Sequence, residues 1–177
     1  VKVIPVEYDE SACLKAAFEA GERVVLPQVG LFADGTAVAQ IGEKPFEVIQ
    51  LQKSDNSGQI VEREVVLVNT DEICAAIKDT FDECRSIVEP SGAMALAGIK
   101  KYVEQYQIQD KNIVSIVCGA NMNFDRLRYI AERTELGEHK EAIFAVTIPE
   151  QKGAFLNFCR ALHGRNITEF NYRASDS

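Results

Sequence analysis

The segment Asn112-Ile-Val-Ser-Ile-Val-Cys-Gly-Ala-Asn-Met-Asn-Phe124 restricts most tightly what this chain can fold into. Asn112 to Val117 hardly alternates and is almost wholly apolar or β-branched, the pattern of a buried strand covered on both faces by helices in a parallel sheet. Gly119 relieves the backbone after it. The Asn and Asp side chains of Asn121 to Asp125 offer caps for a helix suggested by Leu127 to Leu136. A strand that breaks into Cys118-Gly119 puts a thiol at its carboxyl end, which is where open α/β sheets bind ligands. A cysteine there also serves simply as a small buried hydrophobe, and the segment alone leaves both roles open.

Length and composition suit that setting. The 177 residues, 46% of them hydrophobic, suffice for one medium domain, or for one domain and part of another. Acidic residues outnumber basic ones 27 to 19, a net charge of -8 with no basic stripe, which disfavours nucleic acid and anionic membrane surfaces as partners. The five cysteines are scattered without a CxxC pair, which argues against a disulfide framework or a structural zinc site and for a reducing compartment. No apolar run approaches the roughly 20 residues needed to span a bilayer. Val1 to Glu7 reads as strand rather than signal peptide, so the chain is expected to begin inside structure.

Along the chain, Val1 to Val6 predicts a short strand, and Asp9 to Gly21 a helix with an acidic start and a glycine stop. Leu26 to Gly35 is rich in turn residues, and Ala37 to Gln50 reads as partly helical, interrupted by Gly42 and Pro45. Lys53 to Gly58 is a polar loop, Ile60 to Val68 a strand, and Thr70 is expected to cap a helix through Arg85. Glu89-Pro90 introduces a helix from Ser91 to Val103 whose beginning is built of small residues that let a backbone or ligand come close. The polar stretch Leu136 to Lys140 marks a domain boundary, dividing the chain into 1–137 and 138–177. Beyond it Glu141 to Ile148 predicts a strand, Gln151 to His163 an amphipathic helix, and Ile167 to Arg173 a second strand.

With these segments in place the chain resembles the biosynthetic threonine dehydratases, or threonine ammonia-lyases, pyridoxal-phosphate enzymes related to the tryptophan synthase β-chain. The resemblance rests on Val6-Glu7 with Asp9 to Ala17, on Val29-Gly-Leu-Phe-Ala-Asp-Gly35, and on Asp71 to Lys78. It continues through Glu89-Pro-Ser-Gly-Ala93, Cys118-Gly-Ala-Asn-Met-Asn-Phe124 and Phe170-Asn-Tyr-Arg173. It implies an α/β fold, part of a doubly wound parallel sheet, followed by the first β-α-β of an ACT-like α+β regulatory domain. The family's Schiff-base lysine, in a Ser-x-Lys-x-Arg motif, and its glycine-rich phosphate loop are expected upstream of Val1, so the chain is read as a fragment. Leu51 to Glu64 is longer and more polar than the family's usual connection.

The resemblance also assigns site residues. At the position of Cys118 the family has a Ser or Cys that meets the cofactor's pyridine nitrogen. A neutral partner does not hold that nitrogen protonated as a carboxylate would, which makes the ring a milder electron sink. Gly119 follows in the same motif. Gly35, otherwise a turn glycine, would lay its backbone against cofactor and substrate, and Glu89, otherwise a helix cap, would support the cofactor pocket. Where racemase and degradative relatives have a cation site built from Glu, Ala and Asp, this chain has Glu7, Ser11 and Cys13. A thiol is a poor ligand for magnesium or calcium, so no metal is expected. His139 and His163 have no partner at catalytic spacing.

The function implied is dehydration and deamination of L-threonine, or of L-serine in a serine dehydratase, with pyridoxal 5'-phosphate as cofactor. Isoleucine is implied as allosteric effector of the intact enzyme, and a homo-oligomer, commonly a tetramer, as its assembly. The compartment is the cytoplasm, or a plastid or the mitochondrial matrix in a eukaryote. A fragment without the lysine would be inactive alone, and the rival reading is an amino-acid-binding regulatory or subunit-contact module.

Overall fold

A computed structural model describes residues 2–51, 60–61, 64–137 and 140–173. His139 and most of the long 51–64 connection lie outside the described residues. The chain divides into two compact units, Val1–Ala142 and Ile143–Ser177.

The first unit is α/β with parallel strand pairing. Strand β1 (Lys2–Val3) pairs in parallel with β3 (Ile60–Val61), and β2 (Val6–Tyr8) with β4 (Val66–Val68) in the register Val6–Val66, Glu7–Leu67, Tyr8–Val68. The single strand expected over Val1 to Val6 is split around Ile4-Pro5, because proline has no N–H to give a ladder. The Pro5 carbonyl still accepts from the Val66 N–H at 2.9 Å. The strand expected over Ile60 to Val68 is likewise formed as the two short pieces β3 and β4.

Between β2 and β4 run helix α1 (Cys13–Ala20) and helix α2 (Glu43–Leu51). A 3-10 turn at Asp9–Ser11 takes the place of the first turn expected for α1, while Gly21, at φ 77°, ends it as a left-handed C-cap. Helix α2 starts later than expected. Pro45 sits in its first turn, where an N–H would have no partner in any case, so it initiates the helix rather than interrupting it.

Helix α3 (Thr70–Cys84) is the packing hub. Its cap is Asn69, not Thr70. The Asn69 side chain accepts from the Glu72 N–H at 2.9 Å, and the Glu72 carboxylate accepts from the Asn69 N–H at 2.7 Å, which forms a capping box. Thr70 instead turns its hydroxyl to Tyr8 Oη at 2.8 Å, joining the helix to β2. Ile73, Cys74, Ala76 and Ile77 are buried against β4, helix α4 (Pro90–Tyr106) and helix α5 (Asp125–Gly137). Ion pairs fasten the same three helices: Lys100 to Asp79 at 2.5 Å, Lys101 to Glu72 at 2.9 Å and Arg133 to Asp71 at 2.6 Å.

Helix α4 lies close to β2 because a Cβ on its Gly98 would overlap the Val6 side chain. Among the described residues, Asn112 to Val117 is not a strand. No described segment forms a ladder with it, and without neighbours on either side its apolar side chains meet solvent, with Val114 89% and Ile116 78% exposed.

In the second unit, helix α6 (Ala154–Ala161) forms within the span expected for it, but 141–148 and 167–173 are not strands. In a split β-α-β arrangement the two strands are separated by another strand, and no described residue supplies it. The unit is held instead by aromatic contacts, Phe155 with Phe170 at 4.8 Å and Phe170 with Tyr172 at 6.4 Å, and by a Tyr172–Glu150 hydrogen bond.

Two outcomes follow from this packing. Asn69→Ala removes the side-chain half of the capping box, leaving the backbone N–H of residue 69 to donate to Glu72, and lowers the stability of the first unit by about 1 kcal/mol, read from the urea midpoint. Burial pushes the Cys74 thiol up to about 12, with the Asp71 carboxylate adding to the shift and Arg133 opposing it. The folded state therefore retains a proton that the unfolded thiol loses above about pH 8.5, and stability is lost as pH rises from there towards 12. Cys74→Ala should flatten that part of the pH–stability curve relative to the unsubstituted chain.

Candidate functional site

The amino end of α4 organises the site. Glu89 stands at the N-cap position in an extended conformation, with Pro90 in the first turn, yet its carboxylate makes no capping bond to the helix. It reaches across to the 118–121 loop, where Glu89 Oε2 accepts from the Asn121 N–H at 3.1 Å and the Glu89 N–H donates to the Gly119 carbonyl at 3.1 Å. The helix dipole favours a carboxylate there, so the side chain is stabilised electrostatically while its oxygens serve the loop.

Two glycines make this approach possible. A Cβ on Gly92, in the first turn of α4, would overlap the Cys118 carbonyl, so only a bare backbone lets the loop rest on the helix. Gly119 has φ 79°, and a Cβ there would strike the Glu89 carboxylate. Both the conformation and the space require glycine.

Gly35 arrives from the far side of the sequence. It lies in a 3-10 turn, Asp34–Thr36, pinned by the fully buried Ala33, whose carbonyl accepts from the Thr36 hydroxyl at 3.0 Å. A Cβ on Gly35 would stand 2.8 Å from Ser91 Oγ and 3.3 Å from Glu89 Oε1. Ser91 Oγ is shielded from solvent and has no hydrogen-bond partner within the protein. A shielded hydroxyl without a partner, packed with a carboxylate against the bare backbone of two glycines, forms a cradle for a polar ligand.

The structure thus brings Glu89, Gly35 and Gly119 together, with Cys118 on the same loop. Cys118 is exposed and ends an extended segment rather than a buried strand. Sequence reasoning did not single out Ser91 or Asn121, although the run of small residues after Pro90 was the signal for Ser91. The sequence marks Asn121 only as a capping side chain and as part of the Cys118 to Phe124 motif, whereas its contribution to the site is a backbone N–H.

The Glu7 group forms elsewhere. The Glu7 carboxylate accepts from the Leu14 N–H at 2.8 Å and the Lys15 N–H at 2.9 Å, and Cys13 Sγ lies 3.7 Å from it, so its oxygens anchor the start of α1. Burial raises the Glu7 carboxyl, the bonds from Leu14, Lys15 and Cys13 opposing it. Burial, followed by the Glu7 charge, pushes the Cys13 thiol up to about 11. Ser11 Oγ donates to the Gly30 carbonyl at 3.3 Å. Among the described residues no group of three His, Cys, Asp or Glu side chains is placed to hold a metal ion. His163 is exposed.

The sequence profile described as "Pyridoxal-phosphate dependent enzyme" matches residues 1–119, and that described as "C-terminal regulatory domain of Threonine dehydratase" matches residues 132–177. A biosynthetic L-threonine dehydratase of Salmonella typhimurium is 52% identical over 177 residues, covering all of this chain and 33% of its own length. The mitochondrial threonine dehydratase of Saccharomyces cerevisiae is 49% identical over 99% of this chain and 30% of its own. The chain therefore spans about a third of the length of these curated relatives. Among solved structures, the processed form of threonine deaminase isoform 2 from Solanum lycopersicum superposes with a TM-score of 0.69 at 43% identity, over 77% of this chain and 35% of that one. A fungal L-serine ammonia-lyase from Rhizomucor miehei shares the fold at 20% identity and a TM-score of 0.61, over 75% and 41%.

The different settings of the thiols give a direct check. In the native chain Cys118 and Cys84, both exposed, should be alkylated by iodoacetamide well before the buried Cys13 and Cys74, as read by peptide mass spectrometry over time.

Proposed function

Since the chain belongs to the family of pyridoxal-phosphate-dependent enzymes, we propose that it forms the cofactor-edge and regulatory part of a lyase converting L-threonine to 2-oxobutanoate and ammonia. The observation that carries the reading is the convergence of Gly35, Glu89, Ser91 and Gly119 from three separate stretches of sequence on one cradle. The second profile match and the threonine dehydratase relatives support this substrate class.

The residues fit the cofactor. The cradle holds a shielded hydroxyl without a partner, a carboxylate, and bare glycine backbone at 35 and 119 packed against them. When bound, pyridoxal phosphate supplies a ring that withdraws electrons from the substrate's α-carbon. In this chain Cys118 would offer its thiol to the ring nitrogen, and Gly35 and Gly119 would let backbone approach the ring. Glu89 fixes the loop through Asn121 and orients polar groups at the cofactor's edge. No lysine of this chain stands in a Ser-x-Lys-x-Arg sequence, so the covalent anchor and the base that removes the α-proton are assigned to parts of the enzyme outside it. The water lost with the β-hydroxyl is regained when the nitrogen leaves as ammonia, which balances the overall deamination.

Residues 1–137 belong to the catalytic part and 138–177 to a regulatory domain that senses isoleucine, within a homo-oligomer. No helix of the described residues is long and apolar enough to cross a membrane. The cytoplasm is the proposed compartment in a bacterium. A mitochondrial or plastid location is proposed in a eukaryote, supported by the mitochondrial yeast relative and the chloroplastic one of Arabidopsis thaliana.

The test is a chimera in which this chain replaces the matching third of the Salmonella enzyme. It should release 2-oxobutanoate from L-threonine, and Cys118→Ala should lower turnover about tenfold, the size of one lost hydrogen bond. A chimera that retains the cofactor but does not deaminate threonine overturns the reading. The 177-residue chain mixed with pyridoxal phosphate and borohydride should show no lysine modified stoichiometrically at a single site.

A further inference from the structure

The turn that carries Gly35 is held from outside the cradle, and the residue that holds it belongs to none of the motifs discussed so far. Arg126, in the first turn of α5, donates from Nη1 to the Phe32 carbonyl at 3.3 Å, and the same nitrogen lies 3.9 Å from Asp34 Oδ2. One guanidinium therefore spans the two residues flanking Ala33. The other oxygen of Asp34 accepts from the Gly35 N–H at 3.0 Å, so the carboxylate that Arg126 faces is also the one that sets the Gly35 backbone. Phe32 in turn packs against Tyr129 of α5 at 5.8 Å and against Tyr8 of β2 at 6.5 Å. The farther end of α5 is fixed independently by the Arg133–Asp71 pair and by the buried Ile130 and Thr134. Helix α5 is thus a rigid mount, and Arg126 is its contact with the turn.

We propose that Arg126 is a positioning residue that holds the Phe32–Gly35 turn against the end of α4, keeping the Gly35 backbone beside Glu89 and Ser91. The importance of that position for catalysis rests on the functional reading above, whereas the clamp itself does not. Without Arg126 the Phe32 carbonyl loses its charged donor and the Asp34 carboxylate its facing cation, and the turn is left with its internal bonds, the buried Ala33, the Phe32 ring packing and the Thr36–Met94 contact.

Amide hydrogen exchange on the 177-residue chain tests the clamp directly. Gly35, Thr36 and Ala37 report on the turn, since their N–H groups bond to Asp34 Oδ1, the Ala33 carbonyl and the Asp34 carbonyl. Arg126→Ala should speed their exchange about tenfold, as expected for the loss of a charge-assisted hydrogen bond, and leave Ile73 and Ile77 in the core of α3 unchanged. Arg126→Lys, which keeps the charge but cannot span both sites, should give an intermediate rate. Unchanged exchange at the turn overturns the proposal. So does a uniform acceleration across the chain in both variants, which would show a structural role only.

In the chimera, Arg126→Ala should raise the pyridoxal phosphate concentration needed for half-saturation, followed by absorbance, with Arg126→Lys recovering part of the loss. Faster exchange at the turn with unaltered cofactor affinity refutes the positioning role. A chimera without Arg126 substitution that fails to deaminate threonine refutes the functional reading alone, because the exchange result stands by itself.

Discussion

Bare backbone at the start of α4 is the constraint on which the site depends. Gly92 admits the Cys118 carbonyl, Gly98 admits Val6, and Ala93 and Ala97 between them are buried without bulk. A larger residue at either glycine would push the helix away from the loop or from β2. The Glu89 carboxylate would then no longer reach Asn121. The geometry of the cradle is therefore set by what the helix lacks, and the polar groups are placed by that close contact rather than by their own bonds.

Much of this was legible in the sequence because it is local. Glu89-Pro90 is a helix start by residue type, the small residues after it announce close approach, and Gly21 ends α1 as a glycine should. What failed concerned partners at a distance. Asn112 to Val117 has the composition of a buried strand, but composition cannot provide the adjacent ladder, and among the described residues none is present. The same holds for 141–148 and 167–173. Asn69 took the cap expected of Thr70 because Glu72, three residues on, completes its box, while Tyr8 draws the threonine hydroxyl elsewhere. Ser91, Asn121 and Arg126 owe their places to tertiary contacts, and no spacing rule marks them.

The energetic weight in the first unit falls on apolar burial rather than charge. The ion pairs from α3 to α4 and α5 leave their side chains about a third to a half exposed, a setting in which a pair contributes well under about 1 kcal/mol. Their value is orientational, since they fix rotation and register between helices whose packing comes from Ile73, Ile77, Ala97 and Ile130. Both buried groups of the α3 face that carry a sulfur or hydroxyl, Cys74 and Thr80, are uncharged side chains, and the hydroxyl is satisfied by the Ala76 carbonyl at 2.8 Å.

The exposed stretch at 112–117 has a consequence of its own. It presents β-branched side chains beside backbone groups that have no ladder partner among the described residues, six residues with no proline and no charge. A segment of this kind can pair with a strand that another chain offers, so the solubility of this polypeptide in isolation should fall as its concentration rises.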